Sequence, residues 1–227
     1  MDAAMQRIPE PELMDDEAQA RAYAAADFSE PHGRFVALLR ERLLDLDTEG
    51  LALDLGCGPG DVTIRLARAL PGWTVDGIDG SAAMLRLGRV AVARAGLSER
   101  ITLRRGHLPE ADAPRVRYDL VFSNSLLHHL TEPLDLWEAV QRFGRARSDV
   151  FVMDLLRPAS RAEAQALVDR YAAGEPEVLR RDFLNSLLAA YTPDEVREQL
   201  DTMELLDVAV EIASDRHWIA WGPVSHI

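Results

Sequence analysis

The sequence contains no lysine, so all 25 cationic side chains are arginines. Arginine stays protonated at neutral pH and supplies no amine nucleophile, which excludes Schiff-base chemistry, pyridoxal phosphate and the phosphate-binding lysine of a P-loop. A single cysteine, Cys57, excludes an intrachain disulfide and a cysteine cluster for zinc, and suits a reducing compartment. Positive charge is scarce as well: 25 Lys+Arg against 38 Asp+Glu leave a formal net charge of -13. Such a balance repels phosphate backbones and anionic lipid, and the short doublets Arg104-Arg105 and Arg180-Arg181 are too small for a nucleic-acid footprint. Apolar runs never reach the roughly 18 residues of a membrane span, and Met1 to Glu17 carries acids where a secretory leader would be basic and then apolar. The expectation is a soluble cytoplasmic protein with neither nucleic acid nor membrane as partner, its oligomeric state left open.

What is present is ordinary globular material: 227 residues, 48% hydrophobic and 28% charged, the size of one large domain. Short β-rich runs alternate with helical stretches, the pattern of an α/β protein with a parallel sheet and right-handed crossovers. Strands are predicted at Leu51 to Leu55, Trp73 to Ile78, Ile101 to Arg105, Tyr118 to Ser123 and Asp149 to Leu155, several of them apolar on successive residues as strands covered on both faces are. Helices are predicted between strands, among them Asp61 to Leu70 and a helix capped by Ser81 that runs to about Ala95. Ahead of the first strand, Phe35, Leu38, Leu39, Leu43 and Leu46 form an apolar stripe on a helix that Ser29 and Pro31 start, and a weaker helix precedes it. Ala159 to Leu200 has room for two or three helices and contains a capping box, Thr192-Pro193-Asp194-Glu195. Met203 to Ile212 and Arg216 to Trp221 are spaced as a closing antiparallel hairpin.

Chemistry concentrates where Leu51-Ala52-Leu53-Asp54-Leu55 runs into Gly56-Cys57-Gly58-Pro59-Gly60-Asp61 and a helix. Glycines let a ligand press against backbone, and the helix start offers amide donors. A dinucleotide fingerprint would place its third glycine at position 61, where Asp61 stands, and would not set Asp54 ahead of the first glycine. Both acids favour a cationic ligand over a pyrophosphate. Asp79, 19 positions after Gly60, ends the second predicted strand where a carboxylate can accept both hydroxyls of a ribose. A nucleoside carrying a positively charged amino-acid tail answers all of these features.

On Leu53-Asp54-Leu55-Gly56-Cys57-Gly58-Pro59-Gly60, Gly77-Ile78-Asp79-Gly80-Ser81 with Met84-Leu85, and Tyr118 through Leu130, the chain resembles the class I S-adenosylmethionine-dependent methyltransferases. The resemblance implies a doubly wound seven-stranded sheet of order 3-2-1-4-5-7-6 with an antiparallel last strand. It divides one domain into N-terminal lid helices (1–47), a cofactor-binding core (48–156), a helical insert on the substrate side (157–202) and a closing hairpin (203–227). It implies S-adenosylmethionine as cofactor: Gly56, Gly58 and Gly60 under the methionine moiety, Asp54 favouring its charge, Asp79 with Gly80 and Met84 at the ribose, and His107 with Leu108 beside the adenine. Asn124 and Ser125 would face the reacting methyl, and Tyr23 on the lid would meet the methionine carboxylate. His107 departs from the aspartate common at its position. The exit of the fourth strand also lacks the Asn-Pro-Pro-Tyr or Asp-Pro-Pro-Tyr of members that methylate planar nitrogens.

The implied reaction is methyl transfer to a small-molecule acceptor, with aminopropyl transfer, cyclisation, modified-group transfer to tRNA or a non-catalytic binding module as alternatives. His128 and His129 stand where a base could meet a hydroxyl, thiol or acidic carbon; as helix neighbours about 100° apart, at most one is expected to face the pocket. No third ligand at convincing spacing accompanies them, so no metal is expected. Candidate substrate contacts are Arg34, Arg157 and the polar helix face Asp182, Asn185 and Ser186, each of which could equally be a solvated or ion-paired group.

Overall fold

In the computed structural model, residues 5–10, 16–44 and 46–224 are described. Residues 1–4 and 11–15, within the N-terminal stretch read above for a leader, lie outside them. The chain runs α1 (Glu17–Ala25), α2 (Ser29–Arg42), β1 (Glu49–Leu55), α3 (Asp61–Ala69), β2 (Gly72–Asp79), α4 (Ala82–Arg94), β3 (Ile101–Arg105) and β4 (Tyr118–Asn124). After a 3₁₀ turn at Leu127–His129 come α5 (Leu134–Phe143), β5 (Gly144–Leu155), α6 (Arg161–Tyr171), α7 (Glu177–Ala189), α8 (Pro193–Thr202), β6 (Ala209–Ile212) and β7 (His217–Val224). The strands form one sheet of order β3-β2-β1-β4-β5-β7-β6. Pairing is parallel from β3 to β5, and β7 lies antiparallel to both β5 and β6.

The period-2 alternation of strand side chains divides the core into two. Leu53, Leu55, Val121, Val150 and Val152 pack with Leu136 and Trp137 of α5 and with Val196 and Leu200 of α8. Their neighbours Ala52, Leu120, Phe122, Phe151 and Met153 pack on the opposite face with α2, α3 and α4. Continuous apolar runs are therefore needed in β1, β4 and β5, as the sequence suggested. Helix ends follow local chemistry: Ser81 accepts from the Met84 amide, and Thr192 and Glu195 form the reciprocal capping box.

Three sequence expectations are corrected. No helix joins β3 to β4 among the described residues, because Pro109 and Pro114 interrupt a segment of only 12 residues (106–117). The closing hairpin is shorter than expected at its start: residues 203–208 turn rather than extend, and β6 begins at Ala209. β5 begins at Gly144, five residues before the expected Asp149, and continues directly from α5. The insert after β5 consists of three helices, of which α6 and α7 pack around Leu155, Leu167, Val168 and Leu187 at the C-terminal end of the sheet. No helix among the described residues is long and apolar enough to cross a membrane.

Phe151 is fully buried at the sheet centre, with its ring edge-on to Phe35 of α2 at a centroid distance of 5.0 Å. Phe151→Ala should cost about 3–5 kcal/mol in urea unfolding; a loss under about 1 kcal/mol would show that α2 does not depend on this contact.

Candidate functional site

The turn after β1 holds three glycines at positive φ: Gly56 at 74°, Gly58 at 51° and Gly60 at 80°. A side chain at Gly56 would meet Leu126 at 2.8 Å, so both the dihedral and the space require glycine. The amides of Gly56 and Cys57 donate to Ile78 O at 2.8 and 3.0 Å, fastening this turn to β2. Asp79 completes the link, accepting from the Gly58 amide at 2.8 Å and from the Ser81 amide at 2.7 Å. Asp54, buried behind the turn, accepts from the Thr63 hydroxyl at 2.6 Å. Burial pushes its carboxyl up to about 7, Asp79 adding to the shift and the Thr63 bond opposing it.

A cavity of about 1030 Å³ opens above these strand ends. Asp54, Gly56, Gly58, Asp79, Gly80 and Met84 line one side, and His107 with Leu108 the next. Asn124, Ser125, His128 and His129 follow at the end of β4, and Asp182 and Ser186 belong to the far wall with Tyr171, Leu179 and Phe183. Tyr23, Phe28 and His32 of the N-terminal helices complete the enclosure, with Gln19 of α1 donating to Asp182 of α7 at 2.7 Å. Two features at the β4 exit point to a ligand. Asn124 Oδ1 is buried without a hydrogen-bond partner among the described residues, and Ser125 holds a positive φ of 57°.

The histidine pair differs from the helical expectation. In the tight 3₁₀ turn the two rings tilt together at a centroid distance of 4.2 Å, and both line the cavity. Asp154, at the end of β5, lies 2.5 Å from His128 Nδ1 and also accepts from the amides of Leu127 (2.7 Å) and Leu155 (2.6 Å). On the other side Glu10 Oε1 lies 3.5 Å from His128 Nε2 and 3.2 Å from His129 Nδ1, and accepts from the Ser186 hydroxyl at 2.9 Å. Burial opposes the charge on His128, but Asp154 and Glu10 outweigh it and hold the imidazole above its usual pKa. Burial likewise opposes ionisation of Asp154, and the His128 charge and hydrogen bond overcome it to keep the carboxyl below its usual range. Glu10 is pushed up by burial, against the His128 charge and the Ser186 bond.

Four expected contacts are not brought to the cavity. Gly60 is buried in the turn, where it precedes α3 and sets the chain direction. Arg34 is half exposed beside Glu41 at 3.7 Å and lines a separate, smaller pocket with Met153, Arg216 and His217. Arg157 is buried against Glu195 at 2.6 Å and clamps the start of α8. Asn185 is exposed: only the i, i+4 pair Asp182 and Ser186 of the predicted polar face turns inward. The sequence reading missed the His32–Asp61 pair (2.7 Å), Glu10 and Asp154. His217 also lines the cavity. His217 is neutral at pH 7, its pKa pushed down to about 4 by burial and by Arg216. An acid closing the apolar run Val150 to Met153 was the available signal for Asp154; Glu10 had none.

A doubly wound sheet of this strand order, with a glycine turn after β1 and a carboxylate after β2, defines the class I methyltransferase fold. Solved structures agree. A SAM-dependent methyltransferase from Aquifex aeolicus superposes with a TM-score of 0.68 at 17% identity, covering 92% of this chain and 98% of that one. The plantazolicin methyltransferase BpumL in complex with SAH gives 0.70 at 15% identity, covering 93% and 91%. Residues 52–149 match the family description of a methyltransferase domain. Among curated relatives, demethylmenaquinone methyltransferase of Lactiplantibacillus plantarum is 32% identical over 120 residues, 51% of this chain and 49% of that protein. Trans-aconitate 2-methyltransferase of Azoarcus sp. is 37% identical over 87 residues (38% and 32%), and the release factor glutamine methyltransferase of Gloeobacter violaceus 42% over 72 (32% and 25%). The chain thus spans half or less of the length of these relatives. It has the fold of the class I methyltransferases and is similar to a methyltransferase domain over residues 52–149.

Because the folded-state pKa of Asp54 lies above its ordinary 3.8, the native protein holds a proton that the unfolded chain releases. Its contribution to stability is complete below about pH 4 and declines as pH rises to about 7. Asp54→Asn should remove this decline, gaining on the wild type between pH 4 and 8 in thermal melts. Parallel melting curves for the two proteins across that range would contradict the buried-carboxyl assignment.

Proposed function

We propose that the protein is an enzyme that transfers the methyl group of S-adenosylmethionine to a small-molecule acceptor bound in the same cavity. The observation that carries this reading is a single chamber continuous from the glycine turn to the histidine pair and the α6–α7 wall. Its volume of about 1030 Å³ lies at the upper end of the roughly 300–1,000 Å³ typical of one ligand, leaving space for cofactor and acceptor together. Demethylmenaquinone and trans-aconitate in the names of two relatives are consistent with such an acceptor. The β4 exit, Asn124-Ser125-Leu126-Leu127, has no proline pair to frame a planar nitrogen.

The residues present fit the cofactor. The lone acceptor Asn124 Oδ1 and the buried Asp54 suit an ammonium and a sulfonium, and the glycine turn admits close backbone approach. Asp79 and Gly80 would hold the ribose, Met84 would pack beside it, and His107 and Leu108 would border the adenine. Tyr23 keeps its phenolic proton, its pKa pushed up to about 12 by burial and by nearby aspartates, and can donate to a carboxylate. When bound, S-adenosylmethionine supplies an electrophilic methyl on a positively charged sulfur. The chain supplies alignment, which in favourable intramolecular cases is worth about 7–11 kcal/mol of barrier. His128 and His129 form the acceptor-facing polar group, and Asp182 and Ser186 orient the acceptor from α7.

S-adenosylhomocysteine at about 100 times its dissociation constant should stabilise the protein by about 2.7 kcal/mol. Asp79→Asn should lose most of that thermal shift while remaining folded. No shift from well-folded wild-type protein would end this reading. In an acceptor screen read by S-adenosylhomocysteine release, with products weighed by mass spectrometry, a gain of one methyl is expected. His128→Ala or His129→Ala should lower turnover at saturating acceptor while leaving S-adenosylhomocysteine affinity within a few fold. Full activity in both variants would remove the pair from the reaction.

A further inference from the structure

We propose that Glu10, His128 and His129 bind one divalent metal ion of the zinc class at the wall of the acceptor chamber. Their ligand atoms all lie within 4.8 Å of one another. Bonds of about 2.0–2.1 Å at tetrahedral angles place neighbouring ligand atoms about 3.3–3.4 Å apart. The Glu10–His128 and Glu10–His129 separations, 3.5 and 3.2 Å, bracket that edge. Two imidazoles and one carboxylate are also the donor set that catalytic zinc sites use when a fourth position is kept for water or substrate.

The surroundings are arranged as a metal site requires. A ligating histidine ordinarily gives its other ring nitrogen to a carboxylate, which fixes the tautomer and aims the lone pair. Asp154 does this at His128 Nδ1, itself fixed by the two backbone amides of Leu127 and Leu155, and so leaves Nε2 turned toward Glu10. Glu10 is placed with equal care. Arg7 donates to Ala189 O (2.7 Å), His128 O (3.0 Å) and Leu130 O (3.2 Å) and stacks over Tyr191, and the Ile8 amide donates to Leu188 O at 2.9 Å. These bonds hold the segment that carries Glu10 against α7 and the histidine turn. The charges balance too: a divalent cation offsets Glu10 and Asp154 with both imidazoles neutral. Since both imidazoles line the cavity, an acceptor oxygen could reach the fourth position, a role that rests on the methyltransferase reading above.

The test is calorimetric titration of Zn²⁺ into the chelator-stripped protein, with circular dichroism confirming the fold of each variant. One ion per chain is expected, with affinity reduced about tenfold or more by Glu10→Gln, His129→Asn and the orienting variant Asp154→Asn, and unchanged by His217→Asn on the same cavity. Co²⁺ in place of Zn²⁺ should give the intense visible absorption of a tetrahedral N/O site. Absence of saturable Zn²⁺ binding, equal affinity in wild type and Glu10→Gln, or a Co²⁺ spectrum without those bands would overturn the proposal, the last requiring no variant to fold. The S-adenosylhomocysteine thermal shift is measured on the same stripped protein. A normal shift without zinc binding sinks the metal site alone, and zinc binding without a shift sinks the methyltransferase reading alone.

Discussion

Carboxylates at the ends of strands that are covered on both faces must find partners inside the protein, and that constraint organises everything around the cavity. Asp54, next to last in β1, has the Thr63 hydroxyl as its donor, Asp79 ends β2 with two backbone amides, and Asp154 lies at the end of β5 with two amides and an imidazole. Each bond fixes a neighbouring turn as well as the acid. Gly58 N–H on Asp79 ties the glycine turn to β2, and Leu127 N–H on Asp154 seats the 3₁₀ turn against β5. The acids that give the site its charge are thus the same groups that give it its shape. Replacing one changes the backbone around it, which is why amide substitutions are more informative here than truncations.

The enclosure of the chamber is built from parts remote in sequence. α1 bonds to α7 through Gln19 and Asp182, and the segment before α1 reaches the histidine turn through Arg7 and Glu10. α6 and α7 bury Leu167, Val168 and Leu187 with Leu155 and so stand on the end of β5. None of these contacts is needed for the sheet, whose two cores are complete without them. The segment before α1, α1 itself and the α6–α7 pair are thus attached at the rim of the cavity, outside the sheet's two cores.

How far the sequence could be read follows from the same division. The strands, the glycine turn, Asp79 and both capping motifs were legible because each is a local signal: a continuous apolar run, a φ only glycine adopts readily, a serine or threonine followed by an amide to cap. The polar face of α7 was legible only to within a helical turn, so Asn185 was grouped with Asp182 and Ser186 although its side chain lies outside. Arg34 and Arg157 were misplaced because an arginine's partner is chosen by tertiary distance; theirs are Glu41 and Glu195. Glu10 was invisible, since 118 positions separate it from His128 and nothing in its own neighbourhood marks it. The histidines were found but misoriented, because the 100° rule of an α-helix does not govern a 3₁₀ turn of three residues.

That orientation sets the electrostatics at the histidine turn. With Asp154 taking Nδ1–H, a neutral His128 turns the lone pair of Nε2 toward Glu10, itself an anion when ionised. Lone pair and carboxylate repel in a buried setting, and a second carboxylate stands behind the ring, so the arrangement calls for a cation between them. A proton meets that demand and makes His128 a buried imidazolium paired on both sides. A divalent ion meets it with two charges, engages His129 as well, and leaves a position toward the chamber. A proton taken from an acceptor meets it in turn, if the ring is neutral when the acceptor arrives. Ion pair, metal site and proton acceptor are therefore three ways to meet one electrostatic demand, and under the proposed methyl transfer the cation that meets it decides whether the acceptor finds a charge, a Lewis acid or a base.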